Sequence, residues 1–386
     1  MKKTILFVID SLTIGGAEKS LVSLLKTINA ENYSIDLLQI KRGGDLERFV
    51  PEHITLLPEP EYFKNTHNLK YKFSRIKTSI LLRTNEYRTN PLHTEQIVYK
   101  SIQNLIQPLK KTYDLAIAYS QGMPTYIVAN KVNAARKIAW INTDYTNTLY
   151  DKEFDFHSYS KIDKIVAVSD HIKTSVSNLR KEYQHKIDII FDIVDPVLIN
   201  KMANEGTAEE YEYDKTNILT VGRLVEAKGY TKAIQVAKKL KENGIKFKWF
   251  VIGDGPERMK LQKMIVSNHL ENHFFLLGKR LNPYIYMNMC DLYIQPSLKE
   301  GFGLTVCEAK ILKKPIICTN FSTASEIINS GQDGLIVEHD VKSIYDGITK
   351  FLNDNNFKMK ILNQLESTAV YSSVSELNKF YSLLEN

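Results

Sequence analysis

The sequence is poor in cysteine, and its cysteines are not placed to bind a metal or to cross-link the chain. There are three, Cys290, Cys307 and Cys318, and each lies in an apolar segment. No Cys/His group has the spacing of a metal site, which excludes zinc-binding and disulfide-rich folds. We therefore expect reduced core thiols, as in a cytoplasmic protein.

Long apolar runs are also missing. The apolar stretch at residues 5–9 has the length of a strand and stops at Asp10, which predicts a first β-strand rather than a signal peptide. No other run approaches the roughly 20 apolar residues that a membrane-spanning helix needs. We expect a soluble protein, or one that lies on a membrane surface.

Length and composition favour an ordinary globular protein of two domains. A chain of 386 residues is too long for one ordinary core. Its 43% hydrophobic and 25% charged residues are typical of globular proteins. A net charge of +7 is modest, and no nucleic-acid-binding motif accompanies it, so we expect no nucleic acid as partner.

Short apolar strand patterns alternate with helical ones, such as residues 17–28 and 95–109, as in parallel sheets covered by helices on both faces. The strand patterns fall at residues 5–9, 35–40, 115–119, 137–141, 165–168, 218–221, 248–252, 274–277, 292–294, 315–318 and 335–337. The polar, acidic segment 204–216 interrupts them and is interpreted as a linker. The sequence thus predicts an α/β protein with two doubly wound, Rossmann-like domains, 1–203 and 217–371, that face each other across a cleft.

The segment 300–308 has the residues of an anion site. A strand pattern, a turn with two glycines and a helical pattern follow one another, and a helix N-terminus offers free amide groups to an anion. Glu300 lies before the turn and Glu308 inside the helix. Because the positive helix end favours a phosphate, the carboxylates suit neutral sugar hydroxyls beside it. The pattern indicates a nucleotide-sugar. An acid that only complements the helix dipole would explain one glutamate but not both.

Two cations follow the strand pattern at 218–221, at the strand end where open α/β sheets bind ligands. Arg223 can fork across two phosphate oxygens, and Lys228 supplies a compact charge. Either residue alone would be interpreted as a solvated loop cation. The pair favours a phosphate site.

Glycine turns occur after two further strand patterns. Gly15 and Gly16 precede a helical pattern in the first domain and let the backbone approach a ligand closely. Gly253 and Gly255 are followed by Arg258 where a dinucleotide fingerprint has its third glycine, so NAD is not expected.

In this order the motifs resemble those of the retaining glycosyltransferases of family 4, among the group 1 glycosyltransferases, which have the GT-B fold. The matching segments are Gly15-Gly16-Ala17-Glu18, Gly222-Arg223-Leu224, Lys228-Gly229, Gly253-Asp254-Gly255-Pro256 and Glu300 through Glu308. The resemblance implies that a C-terminal helix at about 372–386 packs back on the first domain.

The resemblance also implies roles for single residues. Arg223 and Lys228 would hold the donor diphosphate, and Glu308 would bind the nucleotide ribose. Gly16 would lie near the donor on the acceptor side. Glu300 would hold the donor sugar and phosphate together with the amides of Phe302, Gly303, Leu304 and Thr305. By the same analogy, Glu300, Arg223 and Lys228 would be the catalytic residues.

Breaking a sugar–phosphate bond creates an oxocarbenium-like centre and an anionic diphosphate. Fixed cations and amide dipoles aimed at the diphosphate lower the barrier by several kcal/mol. Many other transferases use a metal held by an Asp-x-Asp pair, which is absent from this sequence. We therefore predict metal-independent transfer without a cofactor. Retention, a UDP-sugar donor and a glycan or lipid-linked acceptor of bacterial surface-polysaccharide or teichoic-acid-type synthesis follow from the resemblance.

The sequence departs from the family at one position. Many relatives have a histidine at the end of a first-domain strand, where this chain has Tyr119-Ser120-Gln121 and Trp140-Ile141-Asn142-Thr143-Asp144. Asn142 and Asp144 are candidates for contact with the sugar or the acceptor, and Asn142 can act only by hydrogen bonding. His157 and His171 lie nearby in the sequence, and a lone histidine is more often structural.

The segment 64–88 has seven lysines and arginines against one acid, Glu86. Leu69, Phe73, Ile76 and Ile80 fall on one face of a helix. Such a basic amphipathic helix suits an anionic membrane surface, where a lipid-linked acceptor would be found. An ordinary docked helix with a solvated basic face fits the same pattern.

Two further functions remain open at this point. A nucleotide-sugar epimerase or a glycan phosphorylase could have the same architecture, and would act without an acceptor or with phosphate. A non-catalytic sugar-nucleotide-binding subunit would bind the donor without turnover. The paired glutamates together with Arg223 and Lys228 favour the transferase.

Overall fold

The computed structural model describes residues 2–64, 67–368 and 373–385. It divides into two compact units, of which the second runs from Asp195 to Ser373. The first unit runs up to Val194 and is completed by the C-terminal helix. Residues 65 and 66 of the predicted basic segment, and residues 371, 372 and 386 of the predicted C-terminal boundaries, lie outside the described residues.

The first unit alternates strands and helices around a parallel sheet. Its strands are β1 (Lys3–Ile9), β2 (Tyr33–Gln39), β3 (Thr55–Leu56), β4 (Thr112–Ala118), β5 (Asn133–Ile141), β6 (Lys164–Ala167) and β7 (Ile187–Ile189). Its first helices are α1 (Gly16–Thr27), α2 (Glu61–Lys64), α3 (Leu69–Asn85), α4 (Thr94–Ile102), α5 (Met123–Lys131), α6 (Lys152–Tyr159), α7 (Asp170–Ser177) and α8 (Lys181–Gln184).

The second unit repeats this plan. Its strands are β8 (Thr216–Val221), β9 (Phe247–Ile252), β10 (Phe274–Gly278), β11 (Leu292–Gln295), β12 (Ile316–Thr319) and β13 (Leu335–Val337). Its helices are α9 (Pro196–Ala203), α10 (Tyr230–Glu242), α11 (Arg258–Ser267), α12 (Tyr284–Met289), α13 (Leu304–Ile311), α14 (Ala324–Ile327), α15 (Val341–Asn353) and α16 (Asn355–Ser367). The last helix of the chain, α17 (Val374–Glu385), belongs to the first unit.

Strand order fixes where a ligand can bind in each unit. The orders are β3-β2-β1-β4-β5-β6-β7 and β10-β9-β8-β11-β12-β13, with all pairs parallel. The order reverses between β1 and β4 and again between β8 and β11. At such a switch point the loops after the two strands diverge to opposite faces and leave a crevice. The predicted α/β class is confirmed.

Burial of aromatic and branched side chains holds the second sheet to its helices. Trp249 and Phe247 of β9 are fully buried and belong to one core cluster with Ile234 of α10 and Ile344 of α15. The Trp249 indole donates a hydrogen bond of 3.0 Å to the hydroxyl of Thr220, which satisfies its one polar group. This rigid layer supports the strand ends of the second unit.

Helix α17 packs on the sheet of the first unit. The ring of Phe380 lies 6.4 Å from Phe7 and 6.3 Å from Trp140, measured between centroids. Lys3 Nζ and an Arg136 guanidinium nitrogen donate to carbonyl oxygens in the last turn of the helix. Cations near a helix C-terminus are favoured by the helix dipole.

The unit boundary differs from the sequence prediction. It lies after Val194 rather than at residue 203, because α9 packs against α12 and α13 of the second unit. The predicted linker, 204–216, is also part of that unit. Within it, Tyr211 packs 4.9 Å from the ring of Phe250, and Glu212 pairs with Lys248. Two of the acidic residues that suggested a linker, Glu210 and Glu212, therefore pair with basic residues of the folded unit.

Two strands and one helix end were not predicted correctly. Strands β3 and β7 are only two and three residues long, too short to show an apolar pattern. The helical pattern at 95–109 ends at Ile102, ahead of Pro108, which disfavours helix in the residue before it. The three cysteines are free and buried, as predicted.

Candidate active site

Two loops of the second unit meet where its strand order reverses. Residues 222–229 follow β8, and residues 296–303 follow β11. The amide of Leu298 donates to the carbonyl of Ala227 at 2.7 Å. Gly229 has φ +70°, and a Cβ there would lie 1.9 Å from the carbonyl oxygen of Pro296. Only glycine allows this backbone approach, which brings the predicted cations close to the predicted glutamate.

Lys228 and Glu300 form an ion pair between these loops. Lys228 Nζ lies 2.5 Å from Glu300 Oε2. The other carboxylate oxygen, Oε1, accepts hydrogen bonds from Ser297 Oγ at 2.7 Å and Gln295 Nε2 at 3.0 Å. The Glu300 side chain is 8% exposed and that of Lys228 22%. Both charges are thus held in a partly dehydrated position, where electrostatic interactions are stronger than in water.

Arg223 stands at the surface of the same loop. Its side chain is exposed and makes no ion pair within the described part of the chain. The backbone around it is fixed, since Gly222 N donates to Ile252 O at 2.9 Å and Tyr230 Oη donates to Gly222 O at 2.8 Å. A guanidinium on a fixed backbone suits bidentate binding of a phosphate.

Gly253 and Gly255 support the Arg223 loop. A Cβ on Gly253 would lie 1.9 Å from the carbonyl oxygen of Gly222, and one on Gly255 would lie 2.4 Å from that of Leu224. Leu224 N also donates to Asp254 O at 3.0 Å. These glycines therefore allow two loops to pack closely, which is the structural role expected of an incomplete dinucleotide motif.

Helix α13 begins with its amide groups beside this loop pair. Its N-cap is Gly303 in a left-handed conformation, φ +98°, and no side chain caps the helix. The side chains of Phe302 and Leu304 are buried, and the Phe302 carbonyl accepts a hydrogen bond of 2.8 Å from Thr323 Oγ1. Thr305 Oγ1 donates to Gln295 Oε1 at 3.3 Å. The first turn thus presents amides of the kind that bind anions.

Glu308 lies deeper, in the second turn of α13. It is 1% exposed, and its Oε1 accepts a hydrogen bond of 2.8 Å from Tyr284 Oη. Burial and the Glu308 carboxylate raise the pKa of Tyr284, so the phenol stays a donor at neutral pH. Tyr284 therefore orients the carboxylate.

The structure thus brings Arg223, Lys228, Glu300, the first turn of α13 and Glu308 to one end of the second sheet. Sequence reasoning missed Gln295, Ser297 and Tyr284, which hold the two glutamates. Gln295 and Ser297 had a signal, since a polar residue that ends an apolar strand next to a glycine turn faces the crevice. Tyr284 had none, because it lies on a separate helix.

The switch point of the first unit holds a half-buried carboxyl group, that of Asp10. Ser120 Oγ, after β4, donates to Asp10 Oδ2, after β1, at 2.9 Å. Burial, followed by the Glu95 carboxylate, raises the pKa of Asp10 to about 8. Glu95 Oε2 accepts a hydrogen bond of 2.8 Å from Tyr150 Oη. Asp10 was missed as a site residue, although a charge that ends a buried strand is itself a signal.

The predicted residues of the first unit have different surroundings. Gly16 is the exposed first residue of α1. Asn142 Nδ2 donates to Tyr119 O at 2.8 Å, while its Oδ1 has no hydrogen-bond partner among the described residues. Asp144 Oδ1 accepts from Thr146 Oγ1 at 2.8 Å and Ser175 Oγ at 2.9 Å. Asp144 therefore organises its own loop, and Asn142 retains an acceptor.

Of the two histidines that lie nearby in the sequence, His171 faces Asp144. Its Nε2 lies 3.6 Å from Asp144 Oδ2. His157 lies in the last turn of α6.

Within the residues that the structure describes, no group of three or more His, Cys, Asp and Glu side chains is arranged to hold a metal. In the same residues, no helix is both long and apolar enough to cross a bilayer.

The two parallel sheets, with helices around them, define the GT-B fold. Residues 207–367 match the family model described as glycosyl transferases group 1. The matched part of the chain is thus similar to the group 1 glycosyltransferases, and the fold is of the GT-B type. The predicted resemblance to the group 1 glycosyltransferases is confirmed, and the narrower assignment to family 4 stays a prediction.

Individual proteins agree with this class. The chain is 26% identical over 367 residues to the N-acetylgalactosamine-N,N'-diacetylbacillosaminyl-diphospho-undecaprenol 4-alpha-N-acetylgalactosaminyltransferase of Campylobacter jejuni, covering 94% of this chain and 93% of the relative. It is 25% identical over 209 residues to the poly(ribitol-phosphate) alpha-N-acetylglucosaminyltransferase of Staphylococcus aureus, covering 52% and 42%. The structure of Anabaena HepE with UDP and glucose aligns over 100% of both chains, with a TM-score of 0.72 and 18% identity.

Proposed function

We propose that the protein is a retaining glycosyltransferase that moves a sugar from a UDP-sugar to a glycan or lipid-linked glycan. The meeting of Lys228 with Glu300 at the switch point of the second sheet is the main support. It places a cation for phosphate next to a carboxylate for sugar hydroxyls. Similarity to HepE, whose structure contains UDP and glucose, favours UDP as the nucleotide.

In this proposal the second unit binds the donor. Arg223 and Lys228 contact the diphosphate, along with the amides of Gly303, Leu304 and Thr305. The two carboxylates bind hydroxyl groups: Glu300 binds those of the donor sugar, and Glu308 binds those of the ribose. Ser297 and Gln295 keep Glu300 in place when Lys228 turns to the diphosphate, because their hydrogen bonds do not depend on the ion pair.

The reaction breaks the bond between the sugar C1 and the diphosphate oxygen and forms a bond from C1 to an acceptor hydroxyl. The diphosphate leaves with the bonding electrons, and the hydroxyl proton passes to its departing oxygen on the same face. Lys228 and Arg223 stabilise the charge that develops on that oxygen. We propose that they do so without a metal or cofactor. The two bacterial relatives have alpha-linked products in their names, which is the outcome of retention for an alpha-configured donor.

We assign the acceptor side to the first unit. Gly16 presents exposed backbone at the start of α1. The Oδ1 of Asn142, which has no partner among the described residues, can accept a hydrogen bond from a hydroxyl group of the acceptor. Asp144 positions that loop. The names of the relatives, one an undecaprenol diphosphate enzyme and one a poly(ribitol phosphate) enzyme, support an acceptor of bacterial surface-polysaccharide or teichoic-acid type. We place the protein in the cytoplasm, at the inner face of the membrane.

The test is a transfer assay with a panel of UDP-sugars, offered with an undecaprenyl-diphosphate-linked glycan or with poly(ribitol phosphate), with and without EDTA. We expect one donor to give product at a rate that EDTA leaves unchanged, with the anomeric configuration of the donor by NMR. An inverted product or EDTA inhibition would contradict the mechanism. Isomerised donor, phosphate-dependent turnover or donor binding without turnover would indicate the other functions.

A further inference from the structure

The apolar stripe of α3 faces outward. Leu69, Phe73, Ile76 and Ile80 share one face of this helix, and their exposed fractions are 67%, 69%, 59% and 56%. Four large apolar side chains in a row on the surface are unlike the scattered exposed apolar residues of ordinary surfaces. The stripe therefore has the exposure of an interaction surface.

Polar contacts on the other face fix this orientation. The buried residues of α3 are Thr78 and Asn85. Asn85 exchanges two hydrogen bonds with the backbone of Leu92, at 2.8 and 2.9 Å. Ser74 Oγ reaches Ser101 O of α4 at 3.4 Å. Because these contacts are specific, the helix cannot rotate to bury its stripe without losing them.

Cations line both edges of the stripe. At about 100° per residue, Lys70 and Lys77 lie along one edge, and Lys72 and Arg83 lie along the other. All four side chains are exposed. No acidic residue lies within α3. An apolar stripe between two cationic edges has the charge and shape of a helix that lies in the plane of a membrane.

We propose that α3 docks the protein on an anionic bilayer, with the stripe at the boundary of headgroups and acyl chains and the cations on lipid phosphates. A second copy of the chain would bring like charges together at both edges, which disfavours self-association. The 17 residues of the helix would lie along about 25 Å of surface. The docking does not depend on the proposed transfer reaction.

Vesicle flotation of the full chain tests this surface. We expect the protein to float with phosphatidylcholine vesicles that contain about 30% phosphatidylglycerol and to bind pure phosphatidylcholine at least about tenfold more weakly. Raising NaCl from about 0.05 M to about 0.5 M should release it, because salt screens exposed charges. Equal binding to both vesicles, or none to the anionic ones, would overturn the proposal.

Two sets of variants identify the helix. The triple variant Phe73→Ser, Ile76→Ser, Ile80→Ser and the quadruple variant Lys70→Gln, Lys72→Gln, Lys77→Gln, Arg83→Gln should each lose at least about tenfold in affinity for anionic vesicles. The matched controls change exposed residues elsewhere: Met259→Ser, Val266→Ser, Met359→Ser, and Lys110→Gln, Lys201→Gln, Lys263→Gln, Lys360→Gln. Controls that lose as much as the α3 variants would overturn the assignment.

A reporter on the stripe separates docking from self-association. Both native tryptophans, Trp140 and Trp249, are buried. Phe73→Trp therefore adds an exposed tryptophan, whose fluorescence reports on the stripe. Its emission should shift to the blue with anionic vesicles and stay unchanged without lipid at any protein concentration. A blue shift with rising protein concentration alone, together with a doubled mass in solution, would show that a second copy covers the stripe and would overturn the proposal.

Discussion

The carboxyl ends of the two sheets have the same geometry and opposite chemistry. In the second unit the switch point holds an ion pair, Lys228 with Glu300, beside the exposed Arg223. In the first unit it holds Asp10, a carboxyl group that burial and Glu95 keep protonated up to a pH of about 8. Parallel sheets offer the same crevice in both cases. The side chains that end the strands decide what each crevice can bind.

From this difference we propose that the second sheet binds an anion and that the first sheet binds neutral groups. Lysine and arginine beside helix amides attract phosphate. A protonated carboxyl group carries no positive charge to attract phosphate, and beside the Glu95 carboxylate it suits hydroxyl groups instead. The predictions below test that contrast, in order of decreasing effect.

The largest effect is expected at the cations. Lys228→Ala or Arg223→Ala removes a charge that we assign to the leaving diphosphate, and should cost about 2–4 kcal/mol of transition-state stabilisation with the fold intact. Steady-state transfer rates give kcat/KM, and thermal unfolding checks the fold. Lys263→Ala, an exposed lysine on α11, should leave kcat/KM unchanged. Near-normal rates for both site variants would refute the diphosphate assignment.

Glu300→Gln should impair transfer of the sugar more than binding of the nucleotide. The amide keeps an oxygen for Ser297 but loses the charge opposite Lys228, so kcat/KM should fall by about 2 kcal/mol. The affinity for free UDP, measured by calorimetry, should change less than about threefold. The control is Glu226→Gln, an exposed acid in the partner loop. An equal loss of UDP affinity would contradict the sugar-binding role.

Asp10 should impose a pH dependence on the stability of the first unit. Its folded-state pKa of about 8 exceeds the ordinary value of 3.8, so the folded chain holds a proton that the unfolded chain loses. The free energy of unfolding should fall as pH rises between these values, by up to about 1.4 kcal/mol per pH unit. Asp10→Asn cannot ionise and should gain stability relative to the parent protein as pH rises. Urea unfolding at about pH 5 and pH 8 gives the free energy of unfolding of both proteins. An equal change in the parent protein and in Asp10→Asn would contradict the prediction.

The smallest effect is expected at Tyr284. Tyr284→Phe removes the hydrogen bond to the buried Glu308 carboxylate and should cost about 1–2 kcal/mol of stability. If Glu308 binds the ribose, UDP affinity should also fall by a few-fold. Tyr213→Phe, at a fully exposed tyrosine, controls for the loss of a hydroxyl. Unchanged stability and affinity would show that Tyr284 does not hold Glu308.

The sequence locates the glycine-rich loops better than it locates the boundaries of the fold. Glycine turns after apolar strands have a local cause, which is why the loops of Lys228 and Glu300 could be located in advance. That Gly229 brings these loops into contact depends on strand order, which one sequence does not specify. Tyr284 and Asp10 were missed because their partners come from distant segments. The acidic stretch at 204–216 was misinterpreted because its partners, such as Lys248, lie across the fold.

Helix α3 shows the same limit. The spacing of Leu69, Phe73, Ile76 and Ile80 predicts one apolar face but not the direction in which it points. In α15 the apolar residues Ile344, Ile348 and Phe351 are buried, as the usual interpretation of such spacing would have it. In α3 the buried residues are polar, because Asn85 and Thr78 hydrogen-bond to backbone carbonyls.

The most direct test of the account is a calorimetric titration of the protein and its Lys228→Ala variant with UDP and with uridine, in EDTA. If the loops after β8 and β11 hold a diphosphate, the parent protein should bind UDP more tightly than uridine. The affinity of the variant for UDP should be at least about tenfold lower, while its affinity for uridine should be unchanged. A variant that binds UDP as tightly as the parent protein would contradict the central claim.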